Sequence, residues 1–203
     1  MPIASEIEPV ASGIFLWRVY DAAVKADLFS TAIASAEAYL IDPIPLTAEA
    51  AAELHARCPI GGIVVTNENH ARAAASYAET FQVPIHAHAA LANGAALPKI
   101  EPIQDGEIFA SGLTAVEIDG GPIGEIAIYS DRDGGSMIVG DALINFEPSG
   151  FALLPAKYCS NARTMRRSLP KLLDYDFERM LFAHGTPILT DARHRLEDLL
   201  RHH

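Results

Sequence analysis

Three apolar runs, each ending in a polar turn, constrain this fold more than any other feature. GGIVVT at 61–66 passes into Asn67-Glu68-Asn69-His70-Ala71-Arg72, SMIVG at 136–140 into Asp141-Ala142-Leu143, and ERMLF at 178–182 into Ala183-His184-Gly185-Thr186-Pro187. Continuous apolar runs of this length have the character of buried strands. Polar groups just past the ends of such strands gather along one edge of a sheet, where sites form. A fourth polar turn, Asp119-Gly120-Gly121-Pro122-Ile123-Gly124, follows the run EIFASGLTAVEI.

The remaining segments fill in layers around these runs. IFLWRVY (14–20) and EAYLID (37–42) read as strands, the second ended by Pro43 and Pro45, which lack a ladder N–H. Thr47 caps a helix over TAEAAAEL, and an Ala-rich helix over NHARAAASYAETF is expected to start at Asn67 or Asn69. VPIHAH at 83–88 is a further short strand, so the first half reads β-α-β-α-β. DAAVKADLFSTA (21–32) reads as a loop that can overhang a site, bringing in Lys25 and Asp27. In the second half, Asp105-Gly106, Asp119-Gly120-Gly121 and Asp131–Gly135 punctuate short apolar runs, as in a hairpin sheet. Helices near 162–174 and 191–201 follow, the first split by Pro170. Two sheets with helices outside them, an α/β sandwich, fit this order.

Composition excludes several classes of function. The 203 residues, 50% hydrophobic, suffice for a sizeable core and are expected to form one domain over 1–203. A net charge of −11 repels phosphate backbones, so no nucleic-acid partner is expected, short of a local basic patch. No run approaches the ~20 apolar residues of a membrane span, and MPIASEIEPV lacks the basic-then-apolar order of a secretory signal. Cys58 and Cys159 are too few for a disulfide framework and read as free thiols. A cytoplasmic protein with no membrane partner is the resulting expectation.

Taken in order, LIDP (40–43), VVTNENHAR (64–72), VPIHAH (83–88), DGGPIGE (119–125), GDAL (140–143) and FAHGTPIL (182–189) resemble the landmarks of the metallo-β-lactamase fold superfamily. The resemblance covers nearly the whole chain. It implies a four-layer αββα sandwich of two mixed β-sheets flanked by helices, with the site at the sheet edges. The activities it implies are metal-assisted hydrolyses of thioesters, amides, lactones or phosphate esters.

The departures from the family pattern are as informative. Laid on the family's T-H-x-H-x-D-H loop, the first His falls on Asn67, the second on Asn69, the Asp on Ala71 and the last His on Arg72. The His of the family's P-G-H-T-P-G turn falls on Gly121, which leaves Asp141 and His184 as matches and as candidate catalytic residues. Two ligands are fewer than the three or so that a zinc centre with an open position needs. The expectation is therefore a hydrolase-derived protein with a degraded site, no metal cofactor, and an Arg72–Asp141 ion pair in place of the ion's charge. A polar pocket of Asn67, Asn69, His70, Arg72, Asp141 and His184 would bind a small anionic ligand or substrate. Two alternatives stay open. One is an active mononuclear hydrolase holding a single zinc, iron or manganese ion through His70, Asp141 and His184, a two-His-one-carboxylate set. The other is a non-catalytic structural or interaction protein, for which a homodimer would speak. His86 and His88 are expected to pack or face solvent, and His55 and His194 to lie on helix faces. Lys157 and Tyr158, after the Gly140-Asp141 turn, are further residues placed to flank the site.

Overall fold

In the computed structural model, which describes residues 2–23, 25–92, 94, 97–146 and 150–202, the two halves of the chain build two sheets. The first opens as an antiparallel meander of β1 (Glu8–Ala11), β2 (Ile14–Asp21), β3 (Ala26–Ala34) and β4 (Ala38–Ile41). It continues in parallel through β5 (Ile60–Val65), β6 (Ile85–His88) and β7 (Glu101–Ile103). Helices α1 (Ala48–Arg57) and α2 (Ala74–Phe81) make the β4–β5 and β5–β6 crossovers. The second sheet comprises β8 (Ile108–Phe109), β9 (Leu113–Glu117), β10 (Ile126–Ser130), β11 (Ser136–Val139) and β14 (Arg179–Phe182). They lie in the order β14-β11-β10-β9-β8, and only β11 and β14 are parallel. A separate hairpin of β12 (Leu143–Phe146) and β13 (Gly150–Leu153) leads to α3 (Ala162–Ser168), and α4 (Ala192–Arg201) follows β14.

Three apolar interfaces separate four layers. Leu40, Ile63, Val65 and Ile85 of the first sheet pack with Leu54 of α1 and Tyr77 of α2. Ile33, Ile41 and Val64 meet Ile126, Ile128, Ile138 and Leu181 between the sheets. Met137, Val139 and Phe182 pack with Met165 of α3 and Leu196 of α4 on the far side. This is the αββα sandwich of mixed sheets. Burial on both faces explains why β5 and β11 read as unbroken apolar runs. Among the described residues no helix is long and apolar enough to cross a membrane.

Local chemistry sets the element ends. The Thr47 hydroxyl accepts from the Ala50 amide at 3.3 Å, and the Asn161 side chain accepts from the Thr164 amide at 3.0 Å, capping α1 and α3. Pro170 stands at the start of a 3-10 turn over Leu169–Asp174, so the expected 162–174 helix is indeed two pieces.

Two expectations fail. Residues 26–34 are not a loop but β3, a strand paired on both sides, with β2 and with β4. Its Ala, Asp and Ser content hides it, because strand propensity reports half-buried packing and this strand takes its place from its neighbours. Lys25 and Asp27 therefore belong to a hairpin, where Asp27 pairs with exposed Arg18 at 3.7 Å. The second failure is the Ala-rich helix. The chain forms a 3-10 turn at Glu68–His70, breaks at Arg72 (φ 36°), and becomes α-helical only from Ala74.

Trp17, 1% exposed, ties β2 to the segment after β4 by donating its indole N–H to the Ile44 carbonyl at 2.9 Å. Trp17→Phe leaves that buried carbonyl with only the longer contact from the Tyr77 hydroxyl, at 3.4 Å, and is expected to cost about 1 kcal/mol in urea unfolding. No loss would show that the Tyr77 hydroxyl alone satisfies the carbonyl.

Candidate functional site

The site forms where the parallel strands end: Asp42 follows β4, Thr66 follows β5, Asp141 follows β11 and His184 follows β14. Asp42 is 2% exposed and takes a left-handed backbone, φ 49°. Its Oδ1 accepts from the Thr66 amide at 2.8 Å, and its Oδ2 from the Thr66 hydroxyl at 2.6 Å. The same Oδ2 lies 2.9 Å from His70 Nδ1. Because Asp42 is the acceptor there, Nδ1 carries the proton and Nε2 points the other way. Nε2 sits 3.2 Å from Asp141 Oδ1 and 3.3 Å from His184 Nε2, and His184 Nε2 is itself 3.2 Å from that same Oδ1.

Three donor atoms thus form a nearly equilateral triangle. Ligands held by one ion in tetrahedral geometry, each ~2.0–2.1 Å from it, stand ~3.3 Å apart. The residues present therefore fit a single metal ion, and His70, Asp141 and His184 are the residues that could hold it. Asp42 would be the carboxylate that fixes the ligating imidazole from behind.

The remaining polar residues serve Asp141. Asn67 Oδ1 accepts from the Asn69 backbone amide at 2.9 Å, which fixes its side-chain orientation and turns its NH2 inward. That NH2 donates to Glu125 Oε2 at 2.6 Å and Asp141 Oδ2 at 3.2 Å, and the Asn69 NH2 donates to the same Oδ2 at 3.2 Å. Glu125 Oε1 accepts from the Asp141 and Ala142 amides at 2.9 and 2.8 Å. A Cβ on Gly140 would meet Thr66 Oγ1 at 2.6 Å and Glu125 Oε1 at 3.0 Å, so only glycine fits before Asp141.

Charge follows this geometry. Burial pushes the His70 imidazole down, but Asp42 and Asp141 outweigh it and raise the group to about 9. Burial pushes Asp141 up, and His70 and His184 more than reverse this, holding it well below the usual carboxylate range. Burial, then the neighbouring Asp141, pushes Glu125 up to about 8. His184 is lowered by burial, with the charges of His70 and Arg72 adding to it.

Arg72 does not make the expected ion pair with Asp141. Its guanidinium donates to the carbonyls of Phe29 (2.6 Å), Asp42 (2.9 Å) and Ala183 (3.4 Å), closing the seam between the two sheets. The two Asn amides fill the outer oxygen of Asp141 instead, and the charge of Arg72 reaches that carboxylate only at longer range. None of the six residues expected to form a pocket lines the cavity of about 510 Å³, which is walled by Leu16, Arg18, Phe29, Thr186 and Leu189 among others. Asp141 and His184 instead meet solvent at the surface, with side chains 11% and 18% exposed.

His86 packs between Tyr39 and Phe109, His88 lies against Glu117, His55 stacks on Phe81, and His194 faces Glu197 and Asp198. Lys157 lies over the ring of exposed Tyr158, at 4.6 Å. Sequence reasoning misses the roles of Asp42, Thr66 and Glu125. The available signal is a polar or ionisable residue directly abutting an apolar strand, in LIDP, GGIVVT and GEIAIYS.

The profile of the metallo-beta-lactamase superfamily matches residues 10–202. The chain belongs to that superfamily. Among solved structures it is similar to a metallo-beta-lactamase from Pontibacter korlensis, with TM-score 0.77 and 14% identity, over 98% of this chain and 99% of that one. It is also similar to a metallo-beta-lactamase family protein from Thermus thermophilus, with TM-score 0.69, 19% identity and coverage of 96% and 80%. A beta-lactamase domain protein from Burkholderia ambifaria gives TM-score 0.68 and 17% identity over 100% of this chain and 78% of that one. These likenesses establish the superfamily's fold. No curated protein matches the chain in sequence.

Substitution and pH both test this geometry. Arg72→Ala takes a donor from three carbonyls at the sheet seam, of which Asp42 keeps the Ser30 hydroxyl and Ala183 the Phe29 amide, and is expected to cost about 1–3 kcal/mol in urea unfolding. Arg72→Lys should recover little of this, because one ammonium cannot span three acceptors; full recovery by Lys would show that charge alone matters. The pH dependence is read in chelator-treated protein. His70 is raised from 6.5 to about 9, so its contribution is present below about 6.5 and lost as pH rises through 9. Glu125, raised from 4.5 to about 8, has the same sign, with its contribution lost as pH rises through 8. Stability should therefore fall by a few kcal/mol between pH 6.5 and 9, and less steeply in Glu125→Gln; a flat profile would contradict both assignments.

Proposed function

We propose that the protein is a hydrolase with a single metal centre held by His70, Asp141 and His184. The carrying observation is the triangle of 3.2, 3.2 and 3.3 Å between His70 Nε2, Asp141 Oδ1 and His184 Nε2. With both ring nitrogens unprotonated, three electron pairs at this spacing would suit one positive centre between them. A bound zinc, iron or manganese ion would supply Lewis acidity and a water of lowered pKa.

The chain's own residues do the rest. Asp42 and Thr66 hold the His70 ring so that Nε2 keeps its lone pair facing inward. Asn67, Asn69 and Glu125 fix Asp141, the first two by donating to Oδ2 and so leaving Oδ1 for the centre. The fourth side faces solvent past His184 and Asp141, where a substrate carbonyl or phosphoryl oxygen has access. With Asn at positions 67 and 69 and Arg at 72, a second ion lacks ligands, so the two-ion chemistry of the family does not carry over.

One observation favours a second reading. His70, raised to about 9, is an imidazolium at neutral pH and can satisfy Asp141 without an ion. The site would then be a metal-free binding site for a small anion, as the replaced ligands first suggest.

Metal analysis separates the two. After chelation and dialysis against zinc or cobalt(II), the protein should retain about one ion per chain, cobalt giving the visible bands of a tetrahedral site. His184→Ala and Asp141→Asn should each abolish uptake while remaining folded by circular dichroism. Metal affinity should rise as pH passes through 9, since the ion displaces the His70 proton. Absence of stoichiometric metal in the wild-type protein would overturn the single-metal reading in favour of the metal-free one.

A further inference from the structure

Charge is distributed unevenly along this acidic chain. Residues 157–171 contain Lys157, Arg163, Arg166, Arg167 and Lys171 and no Asp or Glu. Outside that stretch stand 10 Lys and Arg against 26 Asp and Glu. Lys171 is engaged with Asp105 and Asp119, at 3.4 and 3.6 Å. Lys157, Arg163, Arg166 and Arg167 are exposed, and among the described residues none of them forms an ion pair.

Fold requirements account for only part of this. Met165 and Ser168 are the buried face of α3, so the three arginines lie on its solvent side. Arg166 and Arg167 sit in the last turn, where the helix dipole favours cations. Arg163 stands in the first turn, at the positive end, and one turn from both other arginines, where like charges repel. The arrangement costs the helix stability and returns no internal contact.

The patch is fastened to the candidate centre. The Leu154 amide donates to the carbonyl of Ala142, next to Asp141, at 3.1 Å. The Ser160 and Asn161 amides donate to Gly121 and Gly120 at 3.1 and 2.9 Å, in the turn that leads to Glu125. A Cβ on Gly120 would collide with the Asn161 carbonyl, so the turn and the start of α3 pack without a gap.

We infer that the α3 face of Lys157, Arg163, Arg166 and Arg167 is an anion-recognition subsite beside the His70–Asp141–His184 centre, taking a phosphate-bearing small molecule. Planar guanidinium groups match phosphate oxygens bidentately, and an ammonium adds a point charge. The surrounding acidity selects for size. A duplex extends well past the ~8–10 Å screening length and meets the acidic remainder of the surface, whereas one or two phosphate groups stay within the basic patch. This assignment deepens the hydrolase reading by naming the charged part of the substrate, and it rests on that reading only for what happens at the centre.

The test uses the full chain in chelator, titrated calorimetrically with inorganic pyrophosphate. The wild-type protein should bind it with an affinity that falls steeply with added salt. The triple variant Arg163→Gln, Arg166→Gln, Arg167→Gln, all at exposed helical positions, should lose about tenfold in affinity with a melting temperature no lower than the wild type's, since three exposed charge pairings together reach that size. Its zinc stoichiometry, measured separately, should equal that of the wild type. Absence of pyrophosphate binding, equal binding by the triple variant, or tighter binding of a short duplex DNA would each overturn the inference. Failure of the metal reading would appear differently, as no zinc in either protein with pyrophosphate binding intact.

Discussion

The Asp42 carboxylate is the contact on which the rest of the site depends. It is a buried charge at the end of β4, turned inward by a left-handed backbone and satisfied by the amide and hydroxyl of Thr66 and by His70 Nδ1. An unpaired carboxylate at this depth would be several kcal/mol unfavourable, so its partners must hold their places. That requirement locks β4 to the end of β5 and sets the His70 tautomer. The Asp42 carbonyl extends the same network, receiving the Ser30 hydroxyl at 2.7 Å and the Arg72 guanidinium at 2.9 Å. The edge of the first sheet and one corner of the triangle are thus a single hydrogen-bonded unit.

The second sheet is brought to that unit by two buried groups, a guanidinium and a carboxyl. Arg72 reaches across to the Ala183 carbonyl, and the Phe29 amide donates to the same carbonyl at 2.9 Å, which places His184. Glu125 gathers the amides of Asp141 and Ala142 and so aims the aspartate. Counting ionised groups at neutral pH, Asp42 and Asp141 are balanced by His70 and Arg72, with Glu125 held near neutral by burial. The centre is electrically self-sufficient with a proton on His70. Any cation that enters competes with that proton for the same electron pairs, which couples occupancy to pH.

Much of this is legible in the sequence, and the unread part has physical reasons. The apolar runs that form β5, β11 and β14 are buried on both faces, so hydrophobicity alone marks them. Thr47 and Pro170 act as their local chemistry dictates. β3 escapes because its small and polar residues owe their strand geometry to β2 and β4 rather than to their own propensity. His70 reads two ways from sequence, since whether a side chain at a helix start points in or out depends on Arg72 adopting φ 36°, which no spacing rule gives. Charge complementarity alone places Arg72 against Asp141, but a carbonyl within β3 and two just past the ends of β4 and β14 offer a guanidinium more acceptors than one carboxylate whose outer oxygen is already filled.

The positions that depart from the family pattern now hold residues with partners of their own. Asn67 and Asn69 both donate to Asp141 Oδ2, and Arg72 closes the sheet seam. At Gly121, where the family carries an imidazole, a Cβ would lie 2.9 Å from the Glu125 Cγ, so the missing side chain is the space that Glu125 occupies. Piecemeal loss of ligands would strand buried donors and acceptors, because each removed partner leaves an uncompensated group behind. Among the described residues the one buried side-chain atom without a partner is Ser136 Oγ, at the opposite end of β11 from Asp141. At the centre itself every replacement has a partner, and the three atoms left facing inward have the spacing of one ion's ligands. The replaced side chains and the three inward atoms thus belong to one hydrogen-bonded arrangement, in which a change at any position is felt by its neighbours.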